Sequence, residues 1–130
     1  MALAAVKQQH RAINILVVDD SKSMQDIIAF TIKSKGYEYE LANNGEMALQ
    51  LARSKHFDLI LTDINMPEMD GFSLTKELRQ LKSYSHTPIL VLSTEFSPEK
   101  KQKGRDAGAT GWIIKPFNGD KLIAAIEKLI

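Results

Sequence analysis

Hydrophobic positions along the chain gather into five short runs, Ile13–Val18, Tyr37–Ala42, Leu59–Leu61, Ile89–Leu92 and Gly111–Ile114. The first, third, fourth and fifth are largely Val, Ile and Leu, a composition that suits strands buried on both faces of a parallel sheet. The second alternates, with Tyr37, Tyr39 and Leu41 set against Glu38 and Glu40. Alternation of that kind predicts an edge strand with one wet face.

Amphipathic stretches fill the intervals, and their ends can be read. The first has Ser21 as N-cap, an apolar face of Met24, Ile27, Ile28, Thr31 and Ile32, and Gly36 as its stop. The second follows Asn44-Gly45 and packs Met47, Ala48 and Leu51. The third starts near Gly71 and aligns Leu74, Leu78 and Leu81. The fourth opens with Ser97-Pro98-Glu99, a cap followed by proline at the first helical position. The fifth begins after Asn118 and carries Leu122, Ile123, Ile126 and Ile130. Strand and helix in alternation predict an α/β fold: a parallel five-stranded sheet, doubly wound, with helices on both faces joined by right-handed crossovers. Residues 1–12 precede the first strand and read as an N-terminal extension; residues 13–130 form one domain.

Composition narrows the function without naming it. Seventeen Lys and Arg against 16 Asp and Glu leave a net charge of +1, so no overall basic field argues for nucleic acid. There is no cysteine, hence no disulfide or thiolate chemistry. No apolar run approaches the roughly 20 residues that span a bilayer, and the opening Met1–Val6 is too short for a signal-peptide core. A cytoplasmic monomer that engages no membrane is expected.

In open α/β sheets ligands bind beyond the carboxyl ends of the strands. Here those ends are polar: Asp19-Asp20, Thr62-Asp63, Ser93-Thr94 and Lys115-Pro116. Taken singly, an Asp or Ser at a strand-to-helix turn is most simply a cap, and Asp20 or Ser21 could cap the first helix. Taken together they place three carboxylates on one rim. At about 4 Å each carboxylate pair costs about 4 kcal/mol with an effective dielectric near 20. Lys115 offsets one charge of three, so a divalent cation is implied. Hard oxygen ligands with room for water favour Mg²⁺ over zinc.

Four strings now carry a family resemblance: Ile15-Leu-Val-Val-Asp-Asp-Ser21, Asp63-Ile-Asn-Met-Pro-Glu-Met-Asp-Gly71, Val91-Leu-Ser-Thr94 and Gly111-Trp-Ile-Ile-Lys-Pro-Phe117. In order and spacing they resemble the response-regulator receiver domains of two-component signalling, above all the stand-alone chemotaxis regulators of the CheY type. The resemblance runs from about Ile13 to the C-terminus. It implies a flavodoxin-like (βα)5 domain with strand order 2-1-3-4-5. It implies Asp63 as phosphoacceptor, with Asp20, Asp63 and the main-chain carbonyl of Asn65 as Mg²⁺ ligands and Asp19 acting through water in the outer shell. Ser93 matches the hydroxyl that contacts the phosphoryl group, and Lys115 the basic partner of its oxygens. The peptide before Pro116 is typically cis in this family.

The chemistry agrees with these parts. A carboxylate can act as nucleophile and form an acyl phosphate, and phosphoryl transfer needs mainly positioning and cancelled charge. The chain carries no Gly-Lys-Ser/Thr nucleotide loop. The phosphoryl group must therefore come from outside, and the resemblance implies a sensor histidine kinase as donor. The same likeness suggests that a phosphatase acts on the phospho-form.

Output follows from charge gained at Asp63. Trp112 stands where the family carries a switching aromatic, usually Tyr or Phe; a plain core tryptophan is the other reading. The fourth helix is polar almost all round and holds Gly104 at a cost of about 1 kcal/mol, so its grip on the sheet should be weak. Its lysines, with Trp112 and Phe96, form either a partner patch or a solvated charged face. The chemotaxis likeness implies an acidic amphipathic peptide of a flagellar switch protein as target. Asn65 and Glu95 lie two residues past Asp63 and Ser93, the combination of fast-decaying regulators, so the phospho-form should last seconds to minutes. Thr94, where the family often has Ala, adds bulk.

Other classes fit less well. Aspartyl phosphatases separate their two acidic residues, whereas Asp19 and Asp20 are adjacent, so no independent enzyme activity is expected. A non-phosphorylated adaptor would need a broken acidic site. A transcription factor would need a recognition helix beyond the domain. The alternative that stays open is a receiver passing phosphoryl groups within another phosphorelay.

Overall fold

The computed structural model describes residues 12–130 of the chain, so the expected extension lies outside the described residues apart from Ala12. Among the described residues five strands and five helices alternate: β1 (Asn14–Val18), α1 (Lys22–Lys33), β2 (Glu38–Ala42), α2 (Gly45–Ser54), β3 (Leu59–Asp63), α3 (Gly71–Gln80), β4 (Ile89–Ser93), α4 (Pro98–Ala107), β5 (Gly111–Ile114) and α5 (Gly119–Leu129). The sheet is wholly parallel in the order β2-β1-β3-β4-β5, as expected.

Period-two geometry sorts the core into faces. Ile15 and Val17 of β1, with Leu59, Leu61, Leu90 and Leu92, pack beneath α1 and α5 through Ile28, Ile32, Leu122, Ile123 and Ile126. Leu16, Val18 and Ile60 point the other way, onto Ala48, Leu49, Leu74 and Leu78 of α2 and α3. A smaller group, Ile64, Phe72, Val91 and Ala107, closes the end beside α4, with Trp112 packed against it.

Side-chain caps start all five helices. Ser21, Asn44, Asp70, Ser97 and Asn118 each accept the backbone N–H three residues on. Two glycines shape the turns at helix ends: Gly108, at φ +111°, closes α4, and Gly36, at φ +82°, follows α1.

Several expectations need correction. β5 is the sheet's outer strand, not one buried on both faces: Trp112 and Ile113 are half-buried and Ile114 is 42% exposed. In α1 the buried face runs through Gln25, Ile28, Ala29 and Ile32, while Ile27 and Phe30 are exposed. In α2 Leu49 is buried and Met47 turns to solvent; Ile130 lies past the end of α5 and is exposed. In α1 and α2 the hydrophobic periodicity was right and the phase was off by one position. A 3₁₀ turn at Lys82–Tyr84 was not expected. It seats Tyr84, whose hydroxyl bonds the Ala52 and Lys55 carbonyls at 2.8 and 2.7 Å and accepts the Phe57 N–H.

Arg79 locks the opposite end of the fold. Its half-buried guanidinium donates to the carbonyls of Gly108, Tyr84 and Thr87 at 2.7 to 3.0 Å, tying α3 to the end of α4 and the start of β4. Burial lowers its pKa from the ordinary value.

Candidate functional site

Sheet register brings the polar strand ends together. Val18 pairs with Thr62, Asp63 with Leu92, and Ser93 with Ile114, so Asp19, Asp63, Ser93 and Lys115 emerge side by side. Asp19, Asp20 and Asp63 each offer a carboxylate oxygen, and these atoms lie within 4.8 Å of one another. Asp19 is buried, Asp63 half-buried and Asp20 exposed. The graded burial gives a pocket with a dry floor and a wet mouth.

Each carboxylate is held differently. The Asp19 oxygens accept the Ser21 N–H at 2.9 Å and the Lys115 ammonium at 3.1 Å. Lys115 also lies 3.5 Å from Asp63, whose Oδ1 accepts the Ile64 N–H at 2.8 Å. Burial raises the Asp63 carboxyl above its ordinary pKa; Lys115 pulls it back and Asp19 pushes it up again. Three carboxylates around one ammonium leave net negative charge on the rim, and the donor set is all oxygen. The residues present therefore fit a hard divalent cation such as Mg²⁺.

Neighbouring residues fix this arrangement. A Cβ on Gly71 would collide with the Asp63 carbonyl oxygen and lie 2.9 Å from Ile64 Cα, so glycine is what lets α3 begin against the Asp63 backbone. Its N–H donates to the Ile64 carbonyl at 2.8 Å. Ser93 is buried at the end of β4 and its hydroxyl accepts the Glu95 N–H at 3.0 Å. The Lys115–Pro116 peptide is cis, as the resemblance implied, and the Lys115 N–H bonds the Ser93 carbonyl at 2.7 Å. Asn65 and Thr94 are exposed at the rim. Glu95 is half-buried, with one carboxylate oxygen enclosed and without a hydrogen-bond partner among the described residues.

Trp112 lies between the sheet and α4. Its Nε1–H donates to the Glu95 carbonyl at 2.9 Å, and its ring is tilted against Phe72 at 6.3 Å between centroids. α4 buries only Gly104 and Ala107, in line with the few apolar residues in its sequence. Gly104 has a packing role that its sequence context did not reveal. A Cβ there would stand 2.9 Å from Trp112 Cζ3, so the missing side chain is the slot that the indole fills. Phe96 is 66% exposed beside this region, and the Lys103 ammonium lies 4.8 Å from the Phe72 ring centroid.

A parallel sheet ordered 2-1-3-4-5, with an acidic trio and a lysine at its carboxyl edge, defines a receiver. The chain belongs to the response regulator receiver domain family, whose profile matches residues 15–127. Among solved structures, chemotaxis protein CheY4 of Vibrio cholerae is 44% identical with a TM-score of 0.90, over 92% of this chain and 100% of that one. The receiver domain of a Pseudomonas aeruginosa sensor histidine kinase, solved with a magnesium ion in its active-site cleft, is 28% identical with a TM-score of 0.85, over 92% and 98%. Among curated relatives, the gliding motility regulatory protein of Myxococcus xanthus is 37% identical over 92% of this chain and 15% of its own length. The transcriptional regulatory protein ZraR of Escherichia coli is 38% identical over 93% and 27%. The chain thus spans between about a seventh and about a quarter of these two curated relatives.

Receiver domains are signalling domains that work with sensor histidine kinases, not enzymes that convert a separate substrate. Among the described residues no helix is long and apolar enough to cross a membrane.

Proposed function

We propose that this receiver accepts a phosphoryl group on Asp63 from the phosphohistidine of a sensor kinase and thereby changes its affinity for a protein target. The observation that carries the reading is the meeting of the Asp19, Asp20 and Asp63 oxygens within 4.8 Å, with Lys115 reaching two of the three. In the step proposed, a carboxylate oxygen of Asp63 attacks phosphorus, the N–P bond breaks, and the leaving imidazole keeps the electron pair and takes up a proton. Asp20, Asp63 and the Asn65 carbonyl would hold Mg²⁺, and Asp19 would act on it through water. When bound there, the ion would supply positive charge against the phosphoryl oxygens. Lys115 neutralises a further oxygen, and the Ser93 hydroxyl, which accepts the Glu95 N–H, donates its own proton to another.

Asn65 and Glu95 set the lifetime of the acyl phosphate from the rim, and Trp112 answers the movement of Ser93 through the β4–α4 loop. The target binds where Trp112, Phe96 and the α4 lysines meet. The likeness to CheY4, all of whose chain is covered, supports a chemotaxis regulator with the flagellar motor switch as target and a phosphatase to end the signal. The likeness to the receiver of a sensor kinase supports a second reading, in which Asp63 passes its phosphoryl group on to another histidine.

Incubation with a small acyl-phosphate donor and Mg²⁺, followed by peptide mass mapping, tests the acceptor. One phosphoryl group on Asp63, absent from Asp63→Asn, is expected; labelling elsewhere, or none, refutes it. Adding a dephosphorylated histidine phosphotransfer domain separates the two outputs, because only the relay reading expects the label to move.

A further inference from the structure

The buried face of α1 begins with a polar residue. Gln25, Ile28, Ala29 and Ile32 line it at helical spacing, and Gln25 is only 6% exposed. A buried amide is retained where it has bonds to make. Gln25 Nε2 donates to the Asp19 carbonyl at 2.7 Å and reaches the Ala42 carbonyl at 3.4 Å. That Ala42 oxygen also accepts the Asp19 N–H at 3.0 Å. The amide thus joins the ends of β1 and β2 to the first turn of α1.

The Asp19 carbonyl belongs to the peptide that links Asp19 to Asp20, so holding it sets the direction in which Asp20 leaves the strand. This matters for Asp20 more than for its neighbours. Asp19 is fixed through its carboxylate by Ser21 and Lys115, and Asp63 by Ile64 and Lys115. The exposed Asp20 carboxylate makes no hydrogen bond or ion pair among the described residues. Its place in the trio is therefore set by its backbone.

We propose that Gln25 is a positioning residue for the cation site, holding the Asp19–Asp20 peptide so that the Asp20 carboxylate stands where a divalent ion is taken up. This rests on the reading of the acidic trio as a Mg²⁺ site. Partners behind a metal ligand typically cost about 10- to 100-fold in affinity when removed. Because Gln25 acts through the backbone of one ligand of several, the lower end applies.

Calorimetric Mg²⁺ titration of the full chain at pH 8 tests it, with folding of each variant verified by its melting transition. Gln25→Met keeps the volume and removes the N–H donors. Gln25→His presents a neutral ring N–H at similar reach. Ile126→Val trims the core near the far end of α5, away from the rim, and reports on general loosening. The Mg²⁺ Kd should rise about tenfold in Gln25→Met, recover at least in part in Gln25→His, and stay at the wild-type value in Ile126→Val. An unchanged Kd in Gln25→Met overturns the proposal, as does an equal rise in Ile126→Val. A wild-type protein that binds no Mg²⁺ instead overturns the reading of the site itself, a result distinguishable from either.

Discussion

Gly104→Ala should do opposite things depending on what stands at position 112. In an ordinary exposed helix the substitution gains about 1 kcal/mol, because alanine loses less backbone freedom than glycine. Here the new Cβ would lie 2.9 Å from Cζ3 and 3.2 Å from Cε3 of Trp112. Carbon atoms pack best at about 3.5–4.0 Å, so the indole must shift by several tenths of an ångström. Forcing an extra methyl into a filled space costs about 1–3 kcal/mol, leaving a net effect between zero and a loss of about 2 kcal/mol. Trp112→Phe takes away the ring atoms that fill the slot and the bond from Nε1 to the Glu95 carbonyl. In that background Gly104→Ala should recover its gain of about 1 kcal/mol. The coupling between the two sites is then about 1–3 kcal/mol, as expected of side chains in contact. Urea denaturation of the four proteins of the cycle, followed by circular dichroism, measures it. Trp112 is the single tryptophan, so its emission should also shift to the red in Gly104→Ala as the ring is displaced outward. An equal gain in both backgrounds would show that Gly104 is not the slot for the indole.

In metal-free buffer Asp63→Asn should raise stability at neutral pH, because it removes a carboxylate whose ionised form is disfavoured by burial and by Asp19. A carboxyl whose pKa is higher folded than unfolded favours folding most below its unfolded value of about 3.9 and loses that contribution as pH rises through the folded value. The advantage of the variant should therefore fade as pH falls from neutrality through the raised pKa of Asp63 toward about 4; thermal melts across that range check it, and a pH-independent difference counts against the crowding. Gly71→Ala should push α3 away from the Asp63 backbone and cost about 1–3 kcal/mol in urea denaturation, with slower phosphorylation at Asp63 under conditions where the variant stays folded. Arg79→Met should leave three carbonyls without their cationic donor and lower stability by about 3 kcal/mol or more, read as a lower melting temperature with Mg²⁺ binding unchanged.

Much of the fold was legible because the hydrophobic period is clean. Runs such as Leu16–Val18 and Ile89–Leu92 are central strands as read, and the two caps read at Ser21 and Ser97 carry the expected bond. The phase of a helix is harder to read than its period. On α1, Ile27 and Gln25 exchange the roles that hydrophobicity alone assigns them, because the glutamine finds two carbonyls at the strand ends. The spacing 25, 28, 29, 32 was the available signal: it makes a continuous face only if Gln25 is counted with it. β5 misled for a related reason. Its apolar side chains resemble those of a buried strand, yet they serve an edge where Trp112 fills the slot at Gly104.

The acidic trio was legible because strand ends in a parallel sheet must meet, so sequence position converts directly into proximity. What sequence does not encode is which carboxylate goes inside. Asp19 and Asp20 are adjacent, yet Asp19 is buried and held by the Ser21 N–H and Lys115 while Asp20 is exposed. The clamps of Arg79 and Tyr84 were missed because their partners are backbone carbonyls, which leave no mark in the sequence of side chains.

The account depends on the rim of Asp19, Asp20 and Asp63 being a cation site, and a thermal melt with and without Mg²⁺ addresses that without any phosphodonor. At a concentration one hundred times its dissociation constant the ion should stabilise the wild-type chain by about 2.7 kcal/mol, and Asp20→Asn with Asp63→Asn should abolish the effect. A wild-type melt indifferent to Mg²⁺ at every concentration would contradict it.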